Sequence, residues 1–191
     1  FLQEKLQNLS LTHPLNRMPS DLRDKPLVAC LHPYIEERHE DIGKGLYPRH
    51  HLWGIDAVEK REDWQVRLLS TSNWSIPSIL EKLLNRYLFR NSPGARAELE
   101  VWRISKSHDL IFSVCGPLAL ARHLKSVKLV SWVFRPPSTR VESALHPYNK
   151  QNLKSNRGFC CLTPKAEQYF SKFAPSKFIP WCVDLEMFDG K

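Results

Sequence analysis

Two glycines, a run of cations and a histidine pair stand close together in Gly43-Lys44-Gly45-Leu46-Tyr47-Pro48-Arg49-His50-His51. Glycine lets the backbone come close to a ligand. Pro48 suits the first position of a helix, whose free N–H groups and dipole attract anions. Lys44 and Arg49 add positive charge, so the segment reads as an anion-binding loop. His50 and His51 have the chemistry of a general base or a hydrogen-bond donor to substrate. A plain flexible loop and helix-packed histidines fit the same residues. The pattern is neither G-x-G-x-x-G nor a P-loop.

Three further groups stand where apolar runs end. Ser70-Thr71-Ser72-Asn73-Trp74 offers hydroxyls, an amide and an indole suited to a polar ring such as a sugar, or equally to turn formation and core packing. Gly116 follows the run His108–Cys115 and permits close approach. Arg135 follows Val127–Phe134 and would sit at a cleft rim, as a phosphate or carboxylate clamp or as a surface ion-pair partner. Asp109 and Asp184 flank apolar runs and read as turn formers. No paired Ser/His/Asp order and no H-E-x-x-H metal motif stands out.

The elements that must position these residues alternate. Apolar runs of strand length, "KPLVACLHPY" (25–34), "WQVRLLSTSN" (64–73), "HDLIFSVCG" (108–116), "VKLVSWVFRPPS" (127–138), "FCCLT" (159–163) and the closing "KFIPW", are separated by helical patterns. The spacing predicts a polar loop over 35–48 and a helix opening at Pro48, with amphipathic helices over 75–89 and 95–107. It also predicts a helix opening at Pro117 and one opening at Pro164 with Thr163 as its N-cap. In the 75–89 helix Ile76, Ile79, Leu80, Leu83, Leu84 and Tyr87 share one side. Repeated strand–helix alternation implies an α/β, doubly wound, mostly parallel sheet with helices on both faces. In such sheets ligands bind beyond the carboxyl ends of the strands, where the groups above fall. Residues 1–24, with Leu2, Leu6 and Leu9 at helical spacing before Pro14 and Pro19, read as an N-terminal arm.

Bulk properties narrow the class. The 191 residues carry a formal charge of +8, with 42% hydrophobic and 25% charged residues. The positive balance favours acidic partners such as nucleotides, anionic lipids or nucleic acid. No apolar run approaches the ~20 residues of a transmembrane helix. No signal peptide is legible, and the missing initiator Met suggests a trimmed start. The five cysteines, Cys30, Cys115, Cys160, Cys161 and Cys182, lie mostly in apolar runs and follow no C-x-x-C pattern. Buried thiols in the cytoplasm are expected.

Three stretches carry a family resemblance. "GFCCLTPKAEQYFSKFAPSKFIPWCVDLEMF" resembles the closing segment of the N-terminal domain of GT-B-fold glycosyltransferases of the group-1, family-4-like type. Ile179-Pro180, Val183-Asp184 and Phe188 match its frame, with Trp181-Cys182 where Asn-Gly is usual. "GKGLYPRHHLWGIDAVEKREDWQVRLLS" is similar to that domain's first glycine loop, helix and second strand, with Asp63-Trp64-Gln65-Val66 in place of the usual turn glycine. "HDLIFSVCGPLALARHLKSVKLVSWVF" is similar to the strand–helix–strand that follows.

The resemblance spans roughly residues 25–191. It implies a Rossmann-like, acceptor-side half of a GT-B enzyme that transfers a sugar from a nucleotide-sugar co-substrate to a sugar or lipid-linked acceptor. A donor-binding domain is expected beyond Lys191, and this half alone is expected to be inactive. Gly43, Lys44, Gly45 and Arg49 would lie near the donor diphosphate, and Thr71, Asn73, Trp74 and Gly116 would line the acceptor site. His50, His51 and Arg135 are the catalytic candidates; Phe134-Arg135 stand where the family often has a histidine. The resemblance implies no cofactor and no bound metal, and the basic surface would suit contact with an anionic membrane. The competing expectation is a non-catalytic Rossmann-like module for an acidic partner. Nucleic acid is disfavoured there, since no DNA- or RNA-binding motif is present.

Overall fold

The computed structural model describes residues 24–32, 35–71, 74–138 and 143–180, without the side chains of Glu36, His39, Arg49 and His50. The N-terminal arm expected over 1–24 lies almost wholly outside the described residues, as do Asn73 and the family-like ending from Trp181.

Six strands form one all-parallel sheet in the order β2-β1-β3-β4-β5-β6. They are β1 (Leu27–Leu31), β2 (Gln65–Leu68), β3 (Leu110–Ser113), β4 (Lys128–Val133), β5 (Gly158–Cys161) and β6 (Ser176–Phe178). The chain is thus an α/β protein with a doubly wound, Rossmann-like fold, as the alternating pattern predicts. β1 pairs with β2 through Val28↔Val66 and with β3 through Val28↔Leu110. Its near-continuous apolar sequence follows from having neighbours on both edges and packing on both faces. Asp109 ties the amino edge together: its carboxylate accepts the Leu27 N–H at 2.8 Å, and its own N–H donates to the Leu27 carbonyl at 2.9 Å.

Side-chain alternation divides the core. Ala29, Leu31, Ile111 and Leu129 face one layer, against Val101 and Ile104 of the helix Ala95–Ile104. Val28, Cys30, Phe112 and Trp132 face the other, against Ile35, Leu52 and Ile55. Towards β6, Val133, Phe159 and Cys161 pack on Leu153, Ala166 and Phe170.

The helices, in chain order, are α1 (Ile35–Gly43), α2 (Ile55–Glu59), α3 (Ser78–Tyr87), α4 (Ala95–Ile104), α5 (Lys150–Lys154) and α6 (Pro164–Phe170). α6 opens as expected, with Thr163 Oγ1 accepting the Ala166 N–H at 3.1 Å and Pro164 in the first turn.

Three segments differ from the sequence expectation. The polar loop expected over 35–48 contains α1, whose Ile35 and Ile42 reach the core while Arg38–Asp41 and Glu40–Lys44 pair at helical spacing on its surface. The helix expected from Pro48 is a four-residue 3₁₀ turn, Arg49–Leu52, separated from α2 by Trp53 (φ 54°) and Gly54 (φ 85°), both left-handed. The helix expected from Pro117 is a turn followed by the short 3₁₀ helix Ala121–His123. There the N–H groups of Ala119 and Leu120 donate to the buried Glu98 carboxylate, at 2.7 and 3.1 Å, instead of entering a helical ladder.

α3 also departs in how it is used. Ile76 and Leu84 pack against Phe89, Ala95 and Ala119, but none of the helix's own residues is fully buried. Cys30, Cys115, Cys160 and Cys161 are free thiols, and burial raises all four, Cys30 and Cys115 to about 12 and the other two to about 11.

Candidate functional site

In this strand order the chain reverses direction across the sheet between β1 and β3, and in open parallel sheets the carboxyl ends at such a switch point are where ligands bind. His32, the residue after β1, is buried, and its Nε2–H donates to the main-chain oxygen of His51 at 2.9 Å. That bond fixes the imidazole and pins the 3₁₀ turn over the strand end. Two residues on, Trp53 occupies a left-handed conformation, which costs a non-glycine residue about 1–2 kcal/mol. The indole N–H of Trp132, on β4, donates to the Trp53 carbonyl at 2.7 Å and holds the turn in place.

Rings gather around this clasp. Trp53 lies 5.8 Å from Trp132 and 5.0 Å from Phe134, both edge to face. His51 stands 4.8 Å from Tyr47, and the Arg38 guanidinium lies 3.9 Å from the Tyr47 ring centre. Phe134, just past β4, is 43% exposed although it is a large apolar ring. The result is an aromatic ledge with one histidine, open to solvent at Phe134.

The floor beside the ledge is the turn after β3. Gly116 has φ 96°, a conformation that strains any side chain, and its carbonyl accepts the buried Ser113 hydroxyl at 2.7 Å. A Cβ there would meet the Trp132 carbonyl at 3.7 Å, so glycine is required by backbone conformation and not by crowding. Glu98 holds the chain just past this turn, through the Ala119 and Leu120 N–H groups. Burial pushes its carboxyl up to about 7, against the two backbone N–H bonds and the Ser92 hydroxyl that favour ionisation.

His51 and Gly116 both lie at the carboxyl edge of the sheet, over the ends of β1 and β3, and the exposed Arg135 follows Phe134 just past the end of β4. Burial raises the Tyr148 hydroxyl, and the Arg135 charge pulls it the other way. The remaining sequence candidates are positioned differently. Gly43, Lys44 and Gly45 form the carboxyl end of α1, the negative end of its dipole, and the Lys44 ammonium pairs with Glu40. The expected glycine segment thus follows one helix, α1, and what comes after it is the short 3₁₀ turn Arg49–Leu52 and not the α-helix expected from Pro48. Arg49 and His50 lie in the 3₁₀ turn, with side chains outside the described set.

Thr71 and Trp74 follow the edge strand β2. The Trp74 indole N–H donates to Glu100 at 2.9 Å, and Arg103 donates to the same carboxylate at 2.6 and 2.9 Å. Burial opposes the Glu100 charge, but the bonds from Arg103 and Trp74, with the charges of Arg103 and Arg67, outweigh it and hold the carboxyl low. Trp74 is thus anchored to α4, on the opposite layer from the ledge. Asn73 lies outside the described residues.

Sequence reasoning missed His32, Tyr47, Trp53, Trp132 and Phe134 as a unit. Two signals were there to find: His32 directly follows the apolar β1, and Trp132 and Phe134 alternate along "SWVF" onto one face. Among the described residues, no group of three or more His, Cys, Asp or Glu side chains is placed to hold a metal ion, and no helix is long and apolar enough to cross a membrane.

Fold and site together define a doubly wound α/β protein with an aromatic ledge at its switch point. Comparison with protein-family models, curated proteins and solved structures returned no match.

Proposed function

We propose that this chain is the acceptor-binding half of a glycosyltransferase that uses a nucleotide sugar as donor. The carrying observation is the ledge of Tyr47, His51, Trp53 and Phe134 at the carboxyl edge of the parallel sheet. Aromatic faces suit the apolar face of a sugar ring, and an imidazole beside them suits its hydroxyls. The ordered sequence resemblance to GT-B N-terminal domains points the same way.

In the reaction, an acceptor hydroxyl oxygen bonds to the anomeric carbon of the donor sugar. The bond from that carbon to the diphosphate oxygen breaks, and the nucleoside diphosphate leaves with the bonding pair. The acceptor proton passes to a base at the site or to the departing phosphate. His51 is the ledge residue with the chemistry to orient that hydroxyl or take its proton. Arg135, at the strand end, is suited to a phosphate oxygen. The negative dipole end at Gly43–Gly45 does not favour a diphosphate, so the donor phosphates are assigned away from it, to the partner domain and Arg135.

The test is nucleoside diphosphate release by the full natural polypeptide with UDP-, GDP-, ADP- and dTDP-sugars, with and without simple glycoside acceptors. Release with one donor is expected. Phe134→Ala should raise the acceptor KM several-fold with donor KM unchanged. Failure to bind or consume any donor overturns the proposal.

A further inference from the structure

α3 carries a surface that neither the fold nor the ledge uses. Ile79, Leu80, Leu83 and Tyr87 are 75%, 47%, 48% and 69% exposed. Ile79, Leu83 and Tyr87 follow one another at four-residue steps and Leu80 lies beside them, so the four make one outward stripe. The inward side is held elsewhere: Asn85 Oδ1 accepts the Ala95 N–H at 2.6 Å, Leu84 packs in the core cluster, and Glu81 pairs with Arg96 at 2.8 Å.

The charges are sorted in the same way. Lys82 and Arg86 are exposed along one flank of the stripe, and Arg90 is exposed just past the helix. The Arg86 guanidinium lies 5.6 Å from the Tyr87 ring centre. Glu81, the helix's one acid, is turned inward against Arg96. The outward surface is therefore apolar and cationic with no acid on it.

We infer that α3 is an interfacial helix that docks this protein on an anionic membrane surface. The charge pattern selects that occupant: a stripe of Ile, Leu and Tyr enters the headgroup boundary while flanking Lys and Arg meet anionic headgroups. A protein partner is the poorer match. Stable protein interfaces enlist about 20–30 residues a side, whereas this surface is four apolar and three cationic side chains on, or just past, one ten-residue helix. The inference stands apart from the glycosyltransferase proposal, since it uses none of the ledge residues.

The experiment is co-sedimentation of the full natural polypeptide with phosphatidylcholine vesicles containing no phosphatidylserine or 30% phosphatidylserine, without nucleotide sugar. Binding should be at least tenfold tighter on the anionic vesicles and should weaken as salt rises. Leu83→Ser with Ile79→Ser should lose at least tenfold of that binding, and Lys82→Glu with Arg86→Glu should abolish the preference for anionic lipid. Circular dichroism melts would verify that both double variants fold. No binding to anionic vesicles overturns the inference, as does binding that Leu83→Ser with Ile79→Ser leaves intact. A concentration-dependent dimer that those serines dissolve, without vesicle binding, assigns the face to a second copy and equally overturns it. Because no donor is present, failure here leaves the transfer proposal untouched.

Discussion

The indole N–H of Trp132 donates to the main-chain oxygen of Trp53 at 2.7 Å, clasping β4 to a turn 79 residues earlier in the chain. The bond compensates a residue that sits in left-handed backbone without being glycine. It makes the ledge a property of the sheet and not of a free loop.

Trp132→Phe keeps a ring in the core and removes that donor. The Trp53 carbonyl then loses its partner, and stability should fall by roughly 1–2 kcal/mol. Urea unfolding of the two proteins measures the difference. An unchanged midpoint would mean that the turn holds itself.

Glu98 makes stability depend on pH in an unusual direction. Its carboxyl is raised from 4.5 to about 7 in the fold, so the folded state keeps a proton that the unfolded chain releases. Unfolding therefore gains with rising pH. The stabilisation is full below about pH 4.5 and lost by about pH 7, at about 1.4 kcal/mol per pH unit within that window. Glu98→Gln cannot titrate, so its stability should lack this slope, although one of the two N–H groups at Ala119 and Leu120 loses an acceptor. Thermal melts of both proteins from pH 4.5 to 7.5 give the difference; parallel curves would rule the effect out.

Asn152 is fully buried and spends its side chain on three backbone groups. Its Oδ1 accepts the Arg122 N–H at 3.2 Å, and its Nδ2 donates to the carbonyls of Ala144 at 3.3 Å and His146 at 2.9 Å. At about 1 kcal/mol per bond, Asn152→Ala should cost roughly 3 kcal/mol. Denaturant titration checks this, and a loss under about 1 kcal/mol would show that water replaces the amide.

The strands were legible because burial on both faces writes itself as continuous apolar runs such as Leu27–Leu31, and because Thr163-Pro164 is a local helix start. α1 was not legible as a helix: only two of its side chains, Ile35 and Ile42, reach the core among those described, and charges elsewhere mask the period. The helix expected at Pro117 fails for a nonlocal reason, since Glu98, some twenty residues earlier, takes its N–H groups. The same holds for the site. Gly116 and His51 could be picked from residue type and strand position, but the ledge depends on Trp132 reaching Trp53, and no local window contains both.

The pairing of Leu27 with Asp109 also sets a timetable for synthesis. Eighty-two residues separate the two partners. β1 leaves the ribosome with only β2 able to join it, and two strands alone are marginal in water. Its other edge stays unsatisfied until Asp109 and β3 have emerged. Arrest of translation before that point would leave an apolar strand with an open edge, the form of nascent chain on which a chaperone acts.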